Sequence, residues 1–146
     1  MRFRPTQLWL VAFFVGFITG AAISTEKRAT SSDLTGLWYM GTMTGFDCNM
    51  KISSATKLAV QYGGCFHQDE PIESAWTLEG DKIKLQSSEL NKTLGSYLRI
   101  VRYKNHFVLV PELKQPNQGK HKYSYSHCFW RNTMKNGLKL SKDAPE

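Results

Sequence analysis

Residues 74–86 constrain the fold of this chain more than any other stretch, because they have the pattern of a β-hairpin. In the first arm, Trp76 and Leu78 alternate with small or polar neighbours, and residues 82–85 repeat the alternation in the second arm. Gly80 lies between the arms and can adopt a positive φ without steric cost. Because a two-stranded ribbon is only marginally stable alone, the apolar face of this hairpin needs a larger sheet to cover it.

Short alternating runs separated by turn residues continue from Leu34 to Arg131. We predict about eight strands, near residues 35–43, 48–53, 56–62, 73–79, 82–87, 96–103, 106–111 and 122–131. Residues 87–94 and 112–120 are predicted to be loops. Short turns and the lack of crossover helices favour an all-β antiparallel meander that closes into a small barrel, since closure removes exposed strand edges.

The predicted interior is a set of apolar residues drawn from every strand, 12% of the chain being aromatic. Its members are Leu37 or Trp38, Met50, Ile52, Leu58, Val60, Trp76, Leu78, Ile83, Leu85, Leu98, Ile100, Phe107, Leu109 and Phe129. These side chains are large enough to fill a barrel of eight strands.

The N-terminus has the order of an export signal. Arg2 and Arg4 precede an apolar run at residues 8–23, and small side chains follow it. We predict a signal peptide at residues 1–24 with cleavage before Thr25, which places the protein outside the cytoplasm, in a periplasm or extracellularly. The alternative is an uncleaved single-pass anchor, although the run would form a helix of only about 24 Å against a hydrocarbon core of about 30 Å.

The rest of the chain divides by composition. Residues 25–33 are predicted to be a polar linker, residues 34–132 the barrel domain, and residues 133–146 a loose basic tail.

The ends of the predicted barrel resemble the lipocalin family. Gly36-Leu37-Trp38 on the first strand resembles the Gly-x-Trp motif of lipocalins, and Arg131 closes the last strand where that family places an arginine over the tryptophan. The family's Thr-Asp-Tyr motif is missing from this chain. The resemblance implies a lipocalin-like barrel in which Trp38 and Arg131 are structural residues, with an apolar ligand in the barrel mouth as one possible function.

The chain is basic, with a net charge of +7, of which Arg2 and Arg4 contribute two, leaving 7 − 2 = +5 from Thr25 onward. This excess favours an anionic envelope polymer or an acidic protein as partner, and a membrane only if the N-terminal segment is uncleaved. An export signal argues against nucleic acid. The predicted contact residues are basic or aromatic: Arg99, Arg102, Lys120, Lys122, Tyr123 and Tyr125.

Three cysteines, Cys48, Cys65 and Cys128, suit one disulfide and one thiol in an oxidising compartment. Pairing of Cys65 with either of the other two is the expected arrangement. The alternative is a zinc or copper site formed by Cys65, His67, His127 and Cys128, which have the ligand softness that these metals prefer. That site requires a bulge, because neighbouring residues on a strand point to opposite faces.

No set of acid, base and nucleophile is evident in the sequence. The one acidic cluster, Asp69, Glu70 and Glu73, lies beside a proline in a predicted loop, and no nucleophile elbow surrounds Ser124 or Ser126. We therefore predict a non-catalytic exported binding module without a cofactor. The alternatives are a carrier of a small apolar ligand and the metal-binding protein described above.

Overall fold

A computed structural model describes residues 28–42, 46–64, 66–114, 122–124, 126–133, 139–140 and 142–143. Its elements in chain order are α1 (Ser31–Leu34), β1 (Gly36–Thr42), β2 (Phe46–Ile52), β3 (Lys57–Gly64), β4 (His67–Gln68), β5 (Ile72–Glu79), β6 (Lys82–Leu85), α2 (Ser88–Leu94), β7 (Tyr97–Tyr103), β8 (His106–Pro111) and β9 (Phe129–Asn132). The predicted hairpin is β5 and β6, with Gly80 at φ +64° in the turn.

The sheet is a closed antiparallel barrel of eight strands. Strand β1 pairs with β2 on one side and with β9 on the other, and β2 also pairs with β3, so the hydrogen-bonded order returns to its start. The short β4 only extends the hairpin at the end of β3. The prediction of an all-β antiparallel barrel is confirmed.

The barrel interior is filled by one apolar cluster. Trp38 pairs with Met50, which pairs with Val60, and all three are at most 1% exposed. Trp76 is also 1% exposed, and its indole Nε1 donates to the Ser54 carbonyl at 3.1 Å. The predicted interior residues belong to this cluster or pack against it. Of the two alternatives on β1, Trp38 points inward and Leu37 does not. The cluster also contains residues that the sequence did not indicate, which are Leu34, Met40, Cys48, Leu90 and Leu94.

Helix α1 covers the end of the barrel at which β1 begins, here called the base. Thr30 caps this single turn with a capping box, and Leu34 enters the interior cluster. The Leu34 carbonyl accepts a hydrogen bond from Trp38 Nε1 at 2.8 Å. The segment predicted to be a polar linker therefore ends in a helical turn that packs against the core.

Helix α2 covers the opposite end, here called the mouth. Ser87 caps the helix by accepting from the Leu90 amide, and both Leu90 and Leu94 are buried in the interior cluster. The hydroxyls of Tyr62 and Thr93 are hydrogen-bonded, which fixes α2 to strand β3. The prediction of a loop at residues 87–94 was wrong, because a seven-residue helix is too short to establish a helical period in sequence.

A second apolar cluster lies on the outer face of β8 and β9. Val108, Val110, Cys128 and Trp130 are its buried members, and the partly buried residues packed against it are Val101, Tyr103, Tyr123 and Leu140. The last strand begins at Phe129, not at 122 as predicted, since residues 122–124 lie over this cluster and the Tyr123 carbonyl accepts from Trp130 Nε1 at 2.8 Å.

The described tail residues also contact the barrel, although the tail was expected to be loose. Leu140 packs on the outer cluster, and the Asp143 carboxylate binds Lys104 Nζ at 2.9 Å and His106 Nε2 at 3.1 Å. These contacts lower the pKa of Asp143, mainly through the hydrogen bond from Lys104.

The predicted signal peptide or anchor at residues 1–24 lies outside the described residues. Among the residues that are described, no helix is long and apolar enough to cross a membrane.

Candidate binding surface

Basic side chains gather on the outer face of strands β6 to β8. The strand register places Lys82 beside Arg99 and Lys84 beside Tyr97, and all four side chains point away from the filled interior. Lys114, just after β8, lines the same groove. Lys82, Lys84, Tyr97, Arg99 and Lys114 are called the basic wall below.

Tyr97 is the aromatic centre of the basic wall. The ammonium groups of Lys82 and Lys84 lie 5.6 Å and 5.9 Å from the centre of its ring, within the range of cation–π attraction. Lys84 also forms an ion pair with Glu79, with 3.3 Å between Nζ and Oε1. This hydrogen-bonded pair raises the pKa of Lys84, so the lysine is charged at physiological pH.

Two cations of the basic wall have no counter-ion among the described residues. The ion pairs in that part of the chain use neither Lys82 nor Arg99. Glu112 lines the same groove, but its carboxylate Oε2 accepts from the Ser96 amide at 2.9 Å. The groove has a volume of about 420 Å³, which leaves room for an anionic group beside Arg99.

The structure separates the predicted contact residues. Arg99 belongs to the basic wall, whereas Arg102, three residues later, pairs with Phe107 at the base. Tyr123 packs against Tyr103 with 5.2 Å between ring centres, so it is part of the outer cluster, and Lys122 lies over its ring. Lys120 and Tyr125 lie outside the described residues.

Four members of the basic wall are not among the contact residues predicted from sequence: Lys82, Lys84, Tyr97 and Lys114. Lys82 and Tyr97 are 15 positions apart and come together only through the register of β6 with β7. The alternation in each strand gives the face of each side chain but not its partner on the next strand.

The residues of the alternative metal site have other partners or surroundings. His67 Nε2 lies 2.6 Å from an Asp69 carboxylate oxygen, and His127 Nδ1 lies 2.7 Å from the Ser126 hydroxyl. Cys128 is buried in the outer cluster, and Cys65 lies outside the described residues. Within the described ranges, no three His, Cys, Asp or Glu side chains are placed to hold a metal ion.

Cys48 and Cys128 are buried thiols on opposite sides of the barrel wall. Cys48 belongs to the interior cluster and Cys128 to the outer cluster. Burial raises the pKa of both thiols to about 12, against small opposing effects of Lys114 on Cys48 and of Arg99 on Cys128. The disulfide involving Cys65 stays a prediction, and the described residues form no disulfide.

Comparisons of this chain with family models, with curated proteins and with solved structures found no match.

Proposed function

We propose that this protein is an exported, non-catalytic binding module that recognises an anionic polymer or an acidic protein through its basic wall. The observation that carries the proposal is a pair of cations, Lys82 and Arg99, that lie beside Tyr97 in an open groove and have no counter-ion in the described part of the chain. Leaving such groups unpaired contributes nothing to folding, but it provides direct contacts for an anionic ligand.

The filled interior favours recognition on the outside over transport within the barrel. Trp38, Trp76 and Phe129 occupy the interior, while α1 covers the base and α2 covers the mouth. A carrier of a small apolar ligand needs an internal cavity, and ligand pockets typically have volumes of about 300–1,000 Å³. Three surface depressions among the described residues, of about 300–420 Å³ each, lie on outer walls or at the base.

The chemistry of the basic wall suits a polymer that carries several anionic groups. The Arg99 guanidinium can donate two parallel hydrogen bonds to a carboxylate, sulfate or phosphate, while Lys82 and Lys84 act as point charges. The Tyr97 ring offers an apolar face between them. Since exposed charges carry most of this recognition, we expect binding to weaken steeply as salt increases.

We also propose that the barrel is lipocalin-like and that the protein is exported. A lipocalin-like barrel is supported by the eight closed strands and by Arg131, which lies over Trp38 at the base. Export is supported by the order of charged, apolar and small residues at positions 1–24. Intact mass and N-terminal sequencing of protein from its own host test export, with Thr25 expected as the first residue.

Retention on a dextran-sulfate column tests the basic wall. The variant Lys82→Glu/Arg99→Glu should elute at much lower salt than the unmodified protein. The matched control is Lys51→Glu/Lys57→Glu, which reverses two exposed cations on strands β2 and β3 and changes the net charge equally. If the two variants lost the same amount of retention, net charge alone would explain binding and the basic wall would be rejected as the site.

A further inference from the structure

A second depression lies at the base of the barrel and differs in chemistry from the basic wall. It has a volume of about 300 Å³ and is lined by Arg28, Ala29, Gly80, Asp81, Ile100, Arg102 and Phe107. Its floor is apolar and continuous with the interior cluster, because Ile100 is a member of that cluster and Ala29 and Phe107 pack against it. Its rim carries charge.

The strand register explains why an arginine lies above an apolar floor. Leu98 and Ile100 point into the barrel, and Arg102 follows at the next inward position, where β7 reaches the base. Arg102 pairs with Phe107 across the strands, so the guanidinium stem and the aromatic ring share one face. The segment before α1 also brings Arg28 into the lining of the depression.

The charges at this rim are not paired with one another. Arg28, Asp81 and Arg102 all line the depression, yet none of them forms an ion pair with another described residue. Two guanidinium groups and one carboxylate leave an excess of one positive charge. A Cβ placed on Gly80 would meet no atom within 4 Å, which confirms that the space beside the turn is open.

We infer that the base of the barrel binds a small amphipathic carboxylate. Arg28 and Arg102 donate hydrogen bonds to its carboxylate oxygens, and Ala29, Ile100 and Phe107 cover its apolar tail. An apolar surface with a few convergent polar groups is the usual composition of a small-molecule site, and the volume is at the lower end of the usual range. This site is independent of the basic wall, because Arg99 lies on the outer face of the barrel.

Isothermal titration with three probes tests this inference. Octanoate has both the charge and the tail, acetate has only the charge, and octan-1-ol has only the tail. We expect one octanoate per chain, bound at least about tenfold more tightly than either of the other probes, because both halves of the site contribute. Equal affinity for acetate and octanoate, or no octanoate binding at millimolar concentration, would overturn the inference.

A matched pair of variants then locates the site. Arg102→Gln should weaken octanoate binding about tenfold, because a charge-assisted hydrogen bond is lost, whereas Arg99→Gln on the outer face should leave it unchanged. Both arginines are exposed, so neither change removes core packing. Octanoate should also shift the NMR signals of the Ala29 and Ile100 methyl groups. Unchanged methyl signals, or equal effects of the two variants, would reject the base as the site.

Discussion

The guanidinium of Arg131 lies over the indole ring of Trp38, 4.4 Å from its centre, and joins the last strand of the barrel to the first. The same guanidinium donates hydrogen bonds to the carbonyls of Asp33 and Thr35, on either side of Leu34. Gly36, at φ +137°, leaves room for it, because a Cβ there would collide with the Arg131 side chain. One side chain thus holds β1, β9 and α1 together at the base.

Replacing Arg131 with alanine should destabilise the protein by about 2–4 kcal/mol, since it removes a partly desolvated cation–π contact and two charged hydrogen bonds. Urea unfolding measures this loss. Arg131→Lys should recover only part of the stability, because an ammonium cannot reproduce the fork of donors. Arg99→Ala is the control and should change stability by less than about 0.5 kcal/mol. A similar small change for Arg131→Ala would contradict its structural role.

Truncating the helix that covers the mouth should open a cavity in the barrel. Leu94 is 1% exposed and belongs to the interior cluster, so Leu94→Ala should cost about 2–5 kcal/mol. The variant should also bind benzene or xenon, as apolar cavities left by such truncations do. Lys92→Ala is the control, because it changes the exposed side of helix α2 without removing a side chain from the barrel interior. Benzene binding to the unmodified protein would contradict the filled interior.

When neither Cys48 nor Cys128 is paired with Cys65, as in a Cys65→Ser background, their buried thiols predict a loss of stability at alkaline pH. Because burial raises the folded-state pKa of Cys48 and Cys128 from 9.0 to about 12, the folded protein holds these protons more tightly than the unfolded chain. Their contribution is complete below pH 9 and is lost as the pH rises through about 12. Burial raises the pKa of Tyr62 to about 12 as well, which adds to the same trend.

Thiol titration checks this account directly. In a Cys65→Ser background at pH 8, both remaining thiols should react slowly with an aromatic disulfide reagent in the native state and rapidly in urea. The free energy of unfolding, measured between pH 8 and pH 11, should fall less steeply when Cys48 is also replaced by alanine. Rapid native-state reaction of both thiols would contradict their burial.

The barrel could be predicted from the sequence because its strands alternate and its turns are short. The alternation of Trp76 and Leu78 with small or polar residues indicates the inward face of the strand without information about the neighbouring strands. Nearly every predicted interior residue follows this alternation. Helix α2 could not be predicted in this way. Its buried residues, Leu90 and Leu94, are only one helical turn apart, which is too little to distinguish a helix from a loop.

The candidate sites were harder to predict, because they depend on register and on chain paths between elements. Arg99 and Arg102 are three positions apart on one strand, so they point to opposite faces, and the single predicted basic face is divided between two separate depressions. Tyr123 is a residue type that often forms binding contacts, but it packs against the outer cluster. The alternation of a strand does not indicate which outward residues are covered by a later segment.

The most direct test of the account is to map a bound polyanion onto the barrel by NMR. Backbone amide signals should be followed while a short dextran-sulfate oligomer is added at low salt. We expect the largest shifts in β6, β7 and the end of β8, around Lys82, Tyr97 and Arg99, with little change in β2 and β3. Shifts spread evenly over the exposed lysines of all strands, or confined to interior residues such as Trp38 and Trp76, would contradict recognition by the basic wall.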